Sequence, residues 1–330
     1  MIRSLYRDKD GQRTNDLTAE QLAAALHTAD GVLWLDFEGE PPERCEPILH
    51  ETFGFHPLAV DDALQENHVP KLDDWENYLY VVLHAIIFDR TEGDGGHVDT
   101  IELDVFLGRD YMVTHHDQPI AALNQVWASA QRDPRHMTKG ADHLLYLLSD
   151  ELANSYMAAA DEMDDALDEV EAELFDRPTS RVLERLFRLK RSLLRMRRNI
   201  APQREVFNKL ARDDYAVVNS QERIFFRGVY DHLVRFYDIN ESMRDLVSGA
   251  MDTYLSVINN RLNDVMKTLT LITTLFMPIS FVAGFFGMNF FQPVLPPEPW
   301  TGPGALIAAL LIIVATPTSM YLWMRRRRWM

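Results

Sequence analysis

The chain is 330 residues long, 47% apolar, and carries a formal net charge of −17. That length leaves room for two or three domains, and the acidic balance excludes nucleic acid as a partner, because phosphate binding needs a basic face. The single cysteine, Cys45, cannot form an internal disulfide and fits a reducing compartment.

Met1 to Asp10 holds Arg3, Arg7 and Lys9 without an apolar run, so no signal peptide is expected there. Residues 1–140 read as an α+β domain in which helices pack on a mainly β layer. Thr18-Ala19-Glu20-Gln21 is a capping box that opens a helix to about Thr28. Gly31 to Phe37 reads as a short strand. Pro42 to Thr52 and Pro57 to Glu66 read as helices with proline in the first turn. Tyr78 to Phe88 is a long apolar strand, and Glu92 to Gly96 a hairpin loop. Ile101 to Leu107 and Tyr111 to His115 form a hairpin around Gly108-Arg109-Asp110. Pro119 to Ser129 reads as another helix.

After residue 140 only helical periodicity remains. Ala141 to Asp176 contains twelve acids and no Lys or Arg, whereas Arg177 to Arg212 contains twelve Lys or Arg and two acids. With Arg177-Pro178 as the turn, residues 141–219 are expected to form an antiparallel helical hairpin with opposite charges facing each other. The acidic run read alone is also a cation-collecting surface. From Ser220 no proline interrupts the pattern until Pro278. Continued to Met288, it predicts one helix about 100 Å long that leaves the soluble part, becomes a first membrane span and can carry movement into it.

Between Lys267 and Arg325 the one charged residue is Glu298. Thr268 to Met288 and Thr301 to Met324 are each long enough for the roughly 30 Å of bilayer hydrocarbon. The second span is placed at 304–324, after an external loop at 289–303. Arg325 to Arg328 follow the second span, Arg261 and Lys267 precede the first, and the loop has no Lys or Arg. The positive-inside rule then puts both termini and the basic tail 325–330 in the cytoplasm. Trp300, Trp323 and Trp329 sit where an aromatic belt is expected.

One face of the first span carries Asn263, Met266, Thr270, Thr273, Met277, Ser280 and Gly284, spaced 3-4-3-4-3-4. Polar groups in a span face protein or water. Small and polar residues also line ordinary helix contacts, but this stripe is unbroken, uncharged and rich in oxygen. It suits magnesium, which sheds its waters reluctantly. A single helix cannot enclose a path, so several copies must assemble. At the end of the span, Gly287 is suited to cap the helix and Asn289 to offer an amide oxygen at the pore mouth.

Position makes Gly287-Met288-Asn289 informative, and here the chain resembles the CorA family of magnesium and cobalt channels, two-span Gly-Met-Asn type. The likeness is densest in Asn263-Asp264-Val265-Met266-Lys267, Phe276-Met277-Pro278, Ala283-Gly284, Gly287-Met288-Asn289-Phe290, Val229-Tyr230-Asp231-His232 and the terminal arginines with Trp329. The resemblance implies a homopentamer in the cell membrane with a long-helix cytoplasmic funnel. It implies Gly287, Met288 and Asn289 as the outer selectivity ring, and Asn263, Met266, Leu269, Thr273, Met277, Ser280 and Gly284 as the pore wall. Met266, Leu269 and Met277 would be its apolar constriction. Glu298 would concentrate cations at the mouth. Mg2+ is then both cargo and regulatory ion, with no organic cofactor. The regulatory pair implied by the family is an Asp before Val-Tyr-Asp-His and an Asp ending a strand. The strand acid matches Asp89, the other position is Gly228, and Asp231 and Glu222 are the neighbouring acids.

A zinc transporter of the same superfamily, and a membrane-anchored binding or signalling protein that transports nothing, are the alternatives. The histidines are scattered, with His115-His116 the one adjacent pair, and no transition-metal ligand spacing is present. No phosphate-binding glycine loop, nucleophile elbow or metalloprotease helix motif occurs, so no enzymatic activity is expected.

Overall fold

The computed structural model describes residues 1–28, 31–65, 68–89, 97–176, 178–288 and 302–327. The chain divides into two units, Met1–Tyr254 and Leu255–Met330.

The first unit is built on one sheet of strands β1 (Ile2–Arg7), β2 (Arg13–Asn15), β3 (Val32–Glu38), β4 (Lys71–Asp74), β5 (Leu79–Asp89), β6 (His97–Leu107) and β7 (Tyr111–His116). Their order is β2-β1-β3-β7-β6-β5-β4, and only the β3–β7 pair is parallel. Because side chains alternate along a strand, the sheet has two apolar faces. One carries Leu35, Phe37, Tyr80, Phe106 and Val113. It is covered by α1 (Ala19–Leu26), α2 (Pro42–Pro47) with a π-helical turn, and α3 (Pro57–Gln65). The other face carries Trp34, Val81, Leu83, Leu103, Val105 and Met112. It packs on α4 (Ala121–Arg132), α5 (Ala141–Asp176), α6 (Ser180–Arg212) and the start of α7 (Arg223–Gly287). The capping box at Thr18 forms with both of its hydrogen bonds.

Three strands, β1, β2 and β4, stand where the sequence reading placed none. β1 is disguised by its charges. Arg3 is accommodated because its guanidinium donates to Asp36 at 2.8 Å and to Asn124 at 2.7 Å, and lies 4.4 Å from the centroid of the Trp127 ring. The hairpin loop read at Glu92 to Gly96 and the turn residue Arg177 lie outside the described residues.

Tyr156 of α5 and Gln203 of α6 both bond the backbone of His84, and farther along Glu169 and Glu173 meet Arg185 at 3.0 Å each. Residue numbers rise on one helix as they fall on the other, so α5 and α6 run antiparallel. The two glutamates are more than half exposed, and exposed pairs contribute at most about 1 kcal/mol. The buried apolar residues Leu167, Val170 and Leu174 on α5, and Val182, Leu186 and Leu189 on α6, contribute more to holding the hairpin.

The buried residues of α7 in this unit are Phe226, Val229, Leu233, Phe236, Asn240, Met243, Val247, Ala250 and Tyr254. Their spacing alternates strictly between three and four, the seam of a heptad repeat.

The second unit holds the rest of α7, which runs through Pro278, and α8 (Pro303–Arg326), itself running through Pro317. Both helices are long and apolar enough to cross a membrane. Each shows one partly buried stripe: Leu271, Thr274, Leu275, Pro278, Ile279 and Val282 on α7, and Ala309, Ile313, Thr316, Pro317 and Met320 on α8, ending at the buried Met324.

Candidate functional site

The polar stripe of α7 lies away from that partly buried one. Asn263, Met266, Thr270, Thr273, Met277, Ser280 and Gly284 are all exposed in the single chain, as is Leu269. At 3.6 residues per turn the two stripes are centred about 140° apart. The helix therefore spends its apolar face, Leu271 to Val282, on burial within the unit and leaves the oxygen-bearing face open. Thr270 donates its hydroxyl proton to the carbonyl of Met266 at 2.8 Å, and Thr273 to that of Leu269 at 2.9 Å. With the donor consumed on the helix itself, each hydroxyl oxygen presents acceptor capacity alone. Acceptors match the polarised hydrogens of water around a cation.

The same three-four spacing continues toward the N-terminus of α7, a signal the sequence reading stopped short of. Counting back from Gly287 in sevens gives Ser280, Thr273, Met266 and Asn259, then Asp252, Asp245, Asp238 and Asp231. All four aspartates are exposed. One heptad position thus bears carboxylates in the first unit and uncharged groups in the second, polar or small except for Met266. The intervening position bears Gly228, Arg235, Ser242, Gly249 and Ser256, and all of these but Arg235 are small enough to let a neighbouring surface approach.

At the end of the stripe Gly287 closes α7, and Met288 follows it, 54% exposed, its amide donating to the Phe285 carbonyl. Asn289 and Glu298 lie outside the described residues. Asp89 ends β5, with its side chain outside the described set, and Asp231 is exposed on α7. A Cβ built on Gly228 meets no atom within 4 Å, so an acid there would fit sterically. Glu222, the other nearby acid, is 6% exposed and engaged with His143 Nδ1 at 2.8 Å. It caps the start of α7 and is not free to serve a surface ion.

His115 and His116 do not form a chelating pair, because adjacent strand residues point to opposite faces. His115 stands 3.5 Å from Asp104 on the α3 side, and His116 stands 3.3 Å from Asp36 on the α5 side. Burial alone would raise the Asp36 carboxyl, but His116, Thr114 and Arg3 outweigh it and hold it below its ordinary value. Burial likewise pulls the His116 imidazole down, and Asp36 outweighs that and leaves it raised.

The sequence matches the family described as CorA-like Mg2+ transporter protein over residues 29–327. YfjQ of Bacillus subtilis is 32% identical over 297 residues, covering 90% of this chain and 89% of its own. The cobalt/magnesium transport protein CorA of Thermotoga maritima is 31% identical over 302 residues, covering 90% of this chain and 83% of its own. Among solved structures, the CorA magnesium transporter from Methanocaldococcus jannaschii superposes with a TM-score of 0.83 at 21% identity, over 99% of this chain and 98% of that one. A match of this extent to the family, joined to two membrane-length helices behind an α/β unit, leads to one assignment: the chain belongs to the CorA-like Mg2+ transporter family.

Proposed function

We propose that the chain moves hydrated divalent cations across the cell membrane, magnesium foremost and cobalt as a second cargo, through a pore enclosed by the α7 helices of a homopentamer. The observation that carries this reading is the open, uncharged, acceptor-rich face of α7 opposite its partly buried apolar face. The aspartates at 231, 238, 245 and 252 would gather cations on the cytoplasmic side. The stripe from Asn263 to Gly284 would pass them without a carboxylate to hold them, and Gly287, Met288 and Asn289 with Glu298 would form the outer mouth. Basic residues on the far sides of both spans and none in the loop support cytoplasmic termini. Magnesium also serves as the regulatory ion in this reading, through Asp89 and Asp231. No covalent chemistry is involved.

Flux of magnesium, cobalt and zinc into liposomes holding the purified protein tests the proposal. Magnesium flux is expected to exceed zinc flux, and Asn289→Ala to abolish it while assembly and membrane insertion persist. Normal flux in that variant removes the amide ring from the mechanism. Zinc flux exceeding magnesium selects the zinc transporter. No flux of any ion through correctly inserted oligomers selects the membrane-anchored binding protein.

A further inference from the structure

The transport reading leaves unused a polar cavity of about 90 Å³ on the α3 side of the sheet, walled by Glu102, Asp104, His115, Asp117, the neighbouring His116, and the last turn of α3 at Ala63 to Gln65. Strand alternation puts Glu102 and Asp104 on the same face of β6, and the antiparallel register puts His115 of β7 beside Asp104. The carboxylates are sunk among apolar neighbours. Asp104 is 3% exposed, and the side chains of Glu102 and His115 are 9% and 6% exposed.

Some of these atoms are satisfied. Tyr80 donates its hydroxyl to Asp104 Oδ1 at 2.6 Å, and the amide of His68 donates to Glu102 Oε2 at 2.8 Å. Two are not: Glu102 Oε1 and His115 Nδ1 are fully buried and have no hydrogen-bond partner. Their nearest charged neighbours are His68 Nδ1, 3.7 Å from Glu102 Oε1, and Asp104 Oδ2, 3.5 Å from His115 Nδ1. A buried polar atom without a partner costs about 1–3 kcal/mol, so such atoms call for an explanation. The closest lysine, Lys71, is already engaged by Asp62 and Asp73. The end of α3 adds to the negative side, because the last carbonyls of a helix lack intrahelical partners and carry partial negative charge. Burial first, and the Asp104 carboxylate second, push the Glu102 acid up to about 8.

Among the described residues no three His, Cys, Asp or Glu side chains converge closely enough to hold a bare metal ion. The cavity is also roomier than a dehydrated magnesium ion requires. An ion that keeps its waters needs acceptors set back from it, as these are. We infer that this cavity binds a hydrated divalent cation, whose water shell donates to Glu102, Asp104 and the terminal carbonyls of α3. The ion ties α3 to the middle of the sheet. The site is separate from the transport path, and its occupancy is read without any flux measurement.

Amide hydrogen exchange on the full chain in detergent, with magnesium chloride as the only added ligand, tests the inference. Magnesium is expected to slow exchange in peptides covering Pro57–Gln65 and His97–Leu107. Glu102→Gln keeps the size and an acceptor for the His68 amide but cannot give up a proton to present a carboxylate to the cation. It is expected to shift the magnesium midpoint upward about tenfold. Gln65→Lys changes an exposed residue and sets an ammonium at the cavity mouth, and the same upward shift is expected. Equal exchange in the wild type with and without magnesium overturns the inference. So does a wild-type midpoint in Gln65→Lys, whether or not Glu102→Gln folds.

Discussion

Asp36 and His116 sit on neighbouring strands of the central sheet with essentially no exposed surface. Taking one partner from such a buried pair costs about 3–5 kcal/mol, because the other charge stays behind. The pH dependence has two sides. Asp36 is lowered in the folded chain, so its contribution is full above the unfolded carboxyl value of about 3.9 and fades as pH falls through the folded value. His116 is raised, so its contribution is full below about 6.5 and fades as pH climbs through the folded value. Stability from the pair is therefore greatest between these limits. Thermal unfolding followed by tryptophan fluorescence should show it, since Trp34 and Trp127 lie nearby with ring centroids 4.7 Å apart. The wild-type midpoint should fall more steeply than that of His116→Gln as pH is raised from about 6.5; parallel curves would rule the pair out. None of this was legible in the sequence. Reading His115-His116 as an adjacent pair says nothing about which face each takes until the strand and its neighbours are known.

At the level of elements, the long helix was the most legible part and the edge strands the least. The α7 pattern spans many turns, so its periodicity survives local noise. β2 is three residues of polar sequence and β4 is Lys-Leu-Asp-Asp; both pair only because a longer strand offers its edge. The stripe from Asn263 to Gly284 was visible because a polar residue in an apolar span stands out. The four aspartates were not, because charges on a soluble helix are ordinary. Their seven-residue interval gives them a testable role. Replacing Asp231, Asp238, Asp245 and Asp252 together by Asn is expected to raise the magnesium concentration for half-maximal flux about tenfold at low ionic strength. The gap should narrow as salt screens the field. An unchanged half-maximal concentration in low salt would show that these carboxylates do not feed the path.

For the whole chain, composition and charge separated an acidic α/β part from two helices long and apolar enough to cross a membrane, because bilayer thickness and the cost of burying charge constrain sequence strongly. They could not place the α3-side cavity, whose residues come from α3, β6 and β7 and meet only through the register of the sheet.

The seam of α7, Phe226 to Tyr254, and the partly buried positions Leu271, Leu275, Pro278 and Val282 all keep one seven-residue beat. Length is then quantised. Between them lies a stretch, Leu255–Arg261, that belongs to neither set of buried residues apart from the partly covered Val257 and Ile258. Deleting all seven residues shortens the helix by about 10 Å but returns every later side chain to an equivalent heptad position. Deleting only Leu255–Asn259 removes less material and turns everything beyond by about 150°, swinging the open face of the span toward its apolar side. The larger deletion is expected to assemble and retain measurable magnesium flux, and the smaller one to lose it. Equal flux from both would mean that the angular setting of the span is fixed locally rather than handed down the helix.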